Sequence, residues 1–228
     1  MNHLKKIGIF FGLLLIGVFV VWEVTKKIRD DQVVKSNRVS TPTPLAYIPL
    51  KDNAYKKIPD FLFLNQDSLY ISSDDFKEKV FVAEFFFTTC PTICPIMNQN
   101  MKKIEDQYGH RSDFGIASFT IDPRHDTPSI LKAYSQDYGV WSSNWHFLTG
   151  SKDSIYSLAN RGFNIYASVN PAVAGGFEHQ GYFALIDRQG YIRSRIDPIN
   201  GNPIVYYSGI NNLQVDQLIE DIELLLNE

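Results

Sequence analysis

The segment from Lys79 to Pro95, KVFVAEFFFTTCPTICP, constrains this chain more than any other part of it. Its first nine residues form a nearly continuous β-branched and aromatic run. Such a run suits a central strand buried on both faces. Thr88-Thr89-Cys90-Pro91 breaks it. From Thr92 to Tyr108 the apolar residues Ile93, Ile96, Met97, Met101 and Ile104 recur at helical spacing. A buried strand therefore hands over to a helix, and both cysteines of the chain, Cys90 and Cys94, sit at the handover.

Around this unit the pattern predicts alternating strands and helices. Phe61 to Phe63 and Leu69 to Ile71 read as short strands around the turn Asn65-Gln66-Asp67-Ser68, with Ser72 to Phe76 leading on as a loop. Phe114 to Ile121 is the next strand, ended by Asp122-Pro123. Thr127-Pro128 opens a helix through Tyr138, because proline early in a helix removes an amide that has no partner there. Trp145 to Leu148 reads as a strand, and Ser151 to Arg161 as a helix capped by Ser151. Tyr182 to Asp187 and Tyr191 to Ile196 form a hairpin across Arg188-Gln189-Gly190, and Val215 to Leu226 closes the chain as an amphipathic helix. This order implies an α/β sheet flanked by helices. Paired cysteines at the end of the first buried strand narrow it to a thioredoxin-like fold, in its peroxiredoxin-like variant. That narrowing rests on where the motif stands, not on periodicity. Phe85, Phe86, Phe87, Trp141 and Trp145 are expected in packing roles.

The N-terminus has a different character. Lys5 and Lys6 precede an uninterrupted apolar or glycine run from Ile7 to Trp22, and Lys26, Lys27 and Arg29 follow Glu23. This is the layout of a signal peptide or signal anchor. No small-x-small cleavage site and no cysteine for lipidation follow the run, so an uncleaved single-pass anchor over residues 1–25 is expected. The run is short against the about 20 residues of a full span, unless Val24 and Thr25 extend it. Residues 26–54 read as an extracytoplasmic tether, with three prolines in VSTPTPLAYIPL. A first irregular strand over Leu45 to Leu50 is the alternative. Residues 55–228 then form one domain, large enough for a substantial core. A signal-like leader places it on the outer, periplasmic side of the cytoplasmic membrane. The formal net charge of -3 offers no basic excess for phosphates, which argues against nucleic acid as a partner.

Two cysteines four positions apart are a redox pair or part of a metal site, not a disulfide scaffold. At a helix N-terminus the exposed amides and the dipole favour thiolate, and the i, i+4 spacing puts both sulfurs on one side. Two soft thiolates select copper(I), zinc or a similar ion. A third ligand would complete the site. His3 lies in the leader, His110 and His125 stand in polar, loop-like contexts that read as solvated, and His146 reads as packed or on the surface. His179 stands just before the strand at Tyr182, where a thioredoxin-like fold faces the cysteine loop. Met97 and Met101 share a helix face with Cys94, but core filling is the better reading for both.

The stretches TTCPTICPIM, TIDPRHDTP and FEHQGYFALID together resemble the Sco/SenC family of copper-binding proteins. The resemblance runs from about Ile58 to Leu226. It implies a copper ion, copper(I) or copper(II), one per chain, held by Cys90, Cys94 and His179. It also implies work on the dinuclear copper centre of cytochrome c oxidase subunit II or another copper oxidase, as copper donor, as reductant of that subunit's cysteines, or both. A periplasmic copper donor or a thioredoxin-like reductant would be further partners. Asp122-Pro123 and Asp126-Thr127 match the family's second motif, where the residues themselves read as ordering a turn and capping the next helix. The alternative is a membrane-tethered thiol-disulfide oxidoreductase or thiol peroxidase that uses Cys90 and Cys94 without a metal.

Overall fold

The computed structural model describes Gly17, residues 19–23, Thr25 and residues 44–228. The chain divides into one unit over Met1–Thr43 and another over Pro44–Glu228. In the first, the described residues are helical. Among the described residues no helix is long and apolar enough to cross a membrane. Most of the expected anchor, and the expected tether up to Thr43, lie outside the described residues.

The second unit is a mixed α/β fold. Its strands are β1 (Ala46–Tyr47), β2 (Leu62–Leu64), β3 (Tyr70–Ser72), β4 (Val80–Phe86), β5 (Phe114–Thr120), β6 (Trp145–Leu148), β7 (Ala167–Val169), β8 (Phe177–His179), β9 (Tyr182–Ile186), β10 (Ile192–Ser194) and β11 (Tyr207–Ser208). Its α-helices are α1 (Cys94–Tyr108), α2 (Pro128–Asp137), α3 (Lys152–Ser157) and α4 (Asn212–Leu226). Among the described residues the main sheet runs β1-β10-β9-β4-β5-β6, with β11 also on β9. β4, β5 and β6 are parallel, and β9 is antiparallel to β4. All seven residues of β4 are buried, Glu84 among them, as the nearly continuous apolar run leads one to expect. Phe86 packs on Tyr134 of α2, whereas Phe85 meets Phe119 and Phe163 on the opposite face. Tyr108 of α1 donates to the Ile219 carbonyl of α4, so these two helices share a layer.

Several boundaries differ from the expectation. α1 starts at Cys94 rather than Thr92, because residues 91–93 form a bend and Pro95 follows in the first turn. Ile96, expected on the inner face of that helix, is 47% exposed. The expected loop from Ser72 is a 3-10 turn over Ser73–Phe76, closed by a reciprocal capping box between Ser72 and Asp75. The helix after Ser151 keeps its cap but turns π-helical over Leu158–Phe163. β2 and β3 form a separate two-stranded ribbon, which Leu64 bridges to Thr149 just after β6. Trp145 is fully buried, while Trp141 is 53% exposed with Lys102 over its ring. The segment expected as a tether overlaps this unit, because Leu45 and Ile48 are buried and β1 pairs with β10.

Candidate metal centre

The site lies where β4 ends. Pairing with strands on both sides fixes β4, so the turn after Phe87 is delivered to one place, and α1 begins four residues after Cys90. Cys90 is 7% exposed, and Cys94, at the first helical position, is fully buried. The backbone amides of Cys94 and Thr92 favour a thiolate at Cys90, and that of Phe87 favours one at Cys94. The Thr92 hydroxyl lies 3.7 Å from Cys90 Sγ.

His179 arrives from a separate element. It ends β8, which pairs antiparallel with β7 in a two-stranded ribbon outside the main sheet. Its Nε2 is 3.2 Å from Cys94 Sγ, and its Nδ1 is 3.3 Å from the Gln180 carbonyl. A proton on Nδ1 donated to that carbonyl leaves the Nε2 lone pair facing the sulfur. The imidazole stands edge-on to Phe87 at 5.8 Å. Two further contacts hold the ribbon. Asn160 bonds both the carbonyl and the amide of Ala167, and the Gln180 side chain accepts from the Tyr166 amide.

The ligand atoms of Cys90, Cys94 and His179 all lie within 4.8 Å of one another. Cys90 and His179 open into a small cleft of about 260 Å³ lined by Phe87, Ile93, Val173 and Phe177. The two sulfurs differ electrostatically. The neighbouring Cys94 holds the Cys90 thiol well below its usual range, against the opposing effect of burial. The same contact, together with burial, pushes the Cys94 thiol well up. One thiolate is thus ready, while the second thiol keeps its proton until something displaces it. Two thiols and one imidazole, closely spaced and nearly dry, fit a soft metal ion and leave a coordination position open.

The structure brings together the three residues singled out from sequence and, among the described residues, leaves His110, His125 and His146 out of the site; His3 lies outside the described residues. His110 is exposed, and His146 is packed edge-on against Phe76. Met97 and Met101 are fully buried. His125, expected to be solvated, is about half exposed but sits 2.9 Å from Asp126, which raises its pKa. The larger correction concerns Asp126 itself. It does not cap α2. It is fully buried and turned the other way, accepting from the Thr88 amide at 3.0 Å and from the hydroxyls of Thr88 and Thr120. Asp126 therefore ties the start of the cysteine loop to the end of β5. Thr127 occupies the cap position of α2 without a side-chain capping bond. Asn160 carries no sequence signal for its role.

Comparison with known proteins agrees with this geometry. The family model described as SCO1/SenC matches residues 51–214. The chain is 31% identical over 176 residues to the SCO1 protein homolog of Bacillus subtilis, across 76% of this chain and 85% of that protein. Among solved structures it resembles a SCO1/SenC family lipoprotein from Bacillus anthracis, with 32% identity and a TM-score of 0.65, covering 78% of this chain and 99% of that one. It also resembles BsSco, described as a member of the Sco family of cytochrome c oxidase assembly proteins with a disulfide switch. There the identity is 29% and the TM-score 0.63, over 80% of this chain and 98% of that one.

Proposed function

This chain belongs to the SCO1/SenC family, and from that premise we propose that it binds one copper ion through Cys90, Cys94 and His179 and serves the assembly of a respiratory copper oxidase. The observation that carries the reading is the convergence of two sulfurs and one imidazole nitrogen within 4.8 Å. Soft thiolates favour copper(I), which tolerates low coordination; copper(II) would recruit a further oxygen or nitrogen. A shallow site with few ligands suits transfer, because an incoming ligand reaches the metal before the old ones leave. The acceptor is the dinuclear copper centre of cytochrome c oxidase subunit II or another copper oxidase. Delivery of copper and reduction of the acceptor's cysteines are both open to this pair of sulfurs. A periplasmic copper donor would load the site, and a thioredoxin-like reductant would keep it open.

In the same reading residues 1–25 anchor the chain in the cytoplasmic membrane by a single pass, and the tether ends where the folded unit begins, at Pro44. Residues 44–228 then hold the copper-binding domain on the periplasmic side, a thioredoxin-like fold of the peroxiredoxin-like variant. Titrating the reduced full chain with copper tests the core of this. One tight copper per chain is expected, with sulfur-to-copper(II) charge-transfer absorption, weakened in Cys90→Ala, Cys94→Ala and His179→Ala. Binding indifferent to His179 would sink the three-ligand site.

A second reading has its own support. A ready Cys90 thiolate beside a buried, protonated Cys94 is the asymmetry that a thiol-disulfide oxidoreductase needs, one sulfur to attack and one to resolve. The two readings join if mild oxidation to a disulfide removes the copper site. Copper stoichiometry unchanged by oxidation would separate them.

A further inference from the structure

We propose that the face built by Tyr47, Leu50, Lys51, Tyr55 and Lys57 docks on an anionic lipid headgroup surface, so that the metal centre is held at the far end of the sheet and turned toward water. The proposal rests on the anchor reading above and adds an orientation to it.

Charge is distributed very unevenly along this chain. Residues 26–57 hold eight Lys and Arg against three Asp, a net +5, whereas residues 58–228 hold twelve against twenty-one Asp and Glu, a net -9. The basic excess is thus concentrated in the stretch that follows the apolar run and leads into the fold. Basic residues next to a membrane anchor are attracted to anionic headgroups, and an acidic body is repelled by them.

The end of that stretch is folded, and it forms a built surface. Leu50 donates to the Ala54 carbonyl at 2.8 Å, and Pro49 bridges to Tyr55. Asp52 and Asn53 both adopt left-handed backbone, with φ of 69° and 58°. That conformation costs energy in non-glycine residues and persists only where the surroundings enforce it. The loop projects Leu50 and Tyr55, which are 47% and 52% exposed. Tyr47 lies tilted against Tyr55 at 5.0 Å and meets Tyr191 edge-on at 5.5 Å, and Lys57 lies 5.5 Å over the Tyr191 ring. Neither Lys51 nor Lys57 pairs with a carboxylate among the described residues. Tyrosines with an apolar residue and free lysines around them suit the headgroup region, where the ring is half buried and the hydroxyl and ammonium stay wet.

The position within the fold gives the orientation. Lys57 bridges to Tyr191, and the hairpin turn before Tyr191 lies beside the start of β4, since Phe81 pairs with Ile186. The metal centre lies past the other end of β4, roughly 20 Å away at the rise of an extended strand. Residues 26–43 span at most roughly 60 Å, so a chain anchored by its apolar run keeps this face close to the bilayer at high effective concentration.

The experiment places the full chain in vesicles of phosphatidylcholine alone or mixed with phosphatidylglycerol. Flotation establishes anchoring, and lysine acetylation is then followed by mass spectrometry. Lys51 and Lys57 are expected to react roughly fivefold more slowly in the anionic vesicles, with Lys152, near the metal-centre end, unchanged. The double variant Lys51→Glu, Lys57→Glu is expected to float and to bind copper as before but to lose the difference between the vesicles at Lys56. A chain that floats but shows equal rates at Lys51, Lys57 and Lys152 in both vesicles overturns the docking alone. A chain that does not float overturns the anchor reading and the docking with it, and leaves the copper titration untouched.

Discussion

The two halves of the metal centre are built in different ways. The sulfur half is an extension of the core: Cys90 and Cys94 follow directly from β4, which is hydrogen-bonded on both sides, and both are buried. The imidazole half hangs on β7 and β8, a ribbon of three residues per strand that pairs with no other strand. His179 is only partly buried. Local opening follows the number of buried contacts an element makes, so the ribbon can yield while the sulfurs stay fixed. A site with one rigid and one yielding side can hold a metal ion by its sulfurs while the imidazole lets a new ligand in.

The strongest test separates the halves by deleting ligands. Structural zinc sites of four ligands are worth about 10–16 kcal/mol, so one ligand of a soft-metal site carries on the order of 3 kcal/mol, or two to three decades in affinity. Cys94→Ala is expected to lose at least that much copper affinity, at a folding cost of only about 1 kcal/mol for the small cavity. His179→Ala is expected to lose less affinity and to leave thermal stability unchanged, because its ribbon is not part of the core. Competition titration against a copper(I) chelator, alongside thermal melts, reads both. Equal losses in the two variants would remove the asymmetry.

Asp126→Ala attacks the rigid half from behind. It strips the acceptor from the Thr88 amide, from the half-buried Thr88 hydroxyl and from the fully buried Thr120 hydroxyl. Unpartnered buried donors cost roughly 1–3 kcal/mol each before any relaxation, so a loss of about 3 kcal/mol in folding stability is expected by denaturant titration. Copper affinity should fall roughly 10- to 100-fold, the usual cost of removing a residue that orients ligands. Asp126→Asn, which can still accept, should lie between. A variant with wild-type copper affinity would mean that the loop needs no tie to β5.

This residue also shows where the sequence stops being legible. β4, the handover to α1 and the pair of sulfurs are written in a nearly continuous apolar run that breaks at Thr88-Thr89-Cys90-Pro91. His179 is found by asking which histidine faces that handover in the fold. Asp126 was placed correctly in a motif and given the wrong task, because an acidic residue before Thr127-Pro128 looks the same whether it caps the helix or turns into the core. Asn160 gave no signal, since its two bonds to Ala167 depend on a π-helical turn that periodicity does not report. Ile96 fits the helical stripe but falls on the exposed first turn of α1. The β1 pairing lies in a proline-rich stretch that reads first as a tether, with a strand only as the alternative.

Glu84 sharpens the comparison through pH. It lies in the centre of β4, fully buried, with Ser118 donating to one oxygen and no partner for the other. Burial raises its pKa from 4.5 to about 7. The folded state then binds a proton that the unfolded state has released, so stability is highest below about pH 4.5 for this group and declines as pH rises toward 7. The decline is on the order of 3 kcal/mol at most. Glu84→Gln should flatten that part of the stability profile and gain on wild type between pH 5 and 8, by urea titration at each pH. Parallel profiles would mean that the carboxyl finds a partner in solution.

The smallest expected effect lies on the contact between the two halves. Gly175 has φ of +85°, and a Cβ built there would stand 2.9 Å from the Phe87 ring and 3.1 Å from Pro91. Gly175→Ala therefore meets both a left-handed backbone cost of about 1 kcal/mol and a collision with the sulfur side. The core will not move, since β4 fixes Phe87, so the ribbon has to. Wild-type thermal stability is expected, with faster amide exchange confined to residues 167–179 and copper affinity down by about tenfold for about 1.4 kcal/mol of ribbon displacement. If exchange instead rises in α1, the sulfur half is the side that yields, and the division of the site into a fixed and a moving half is reversed.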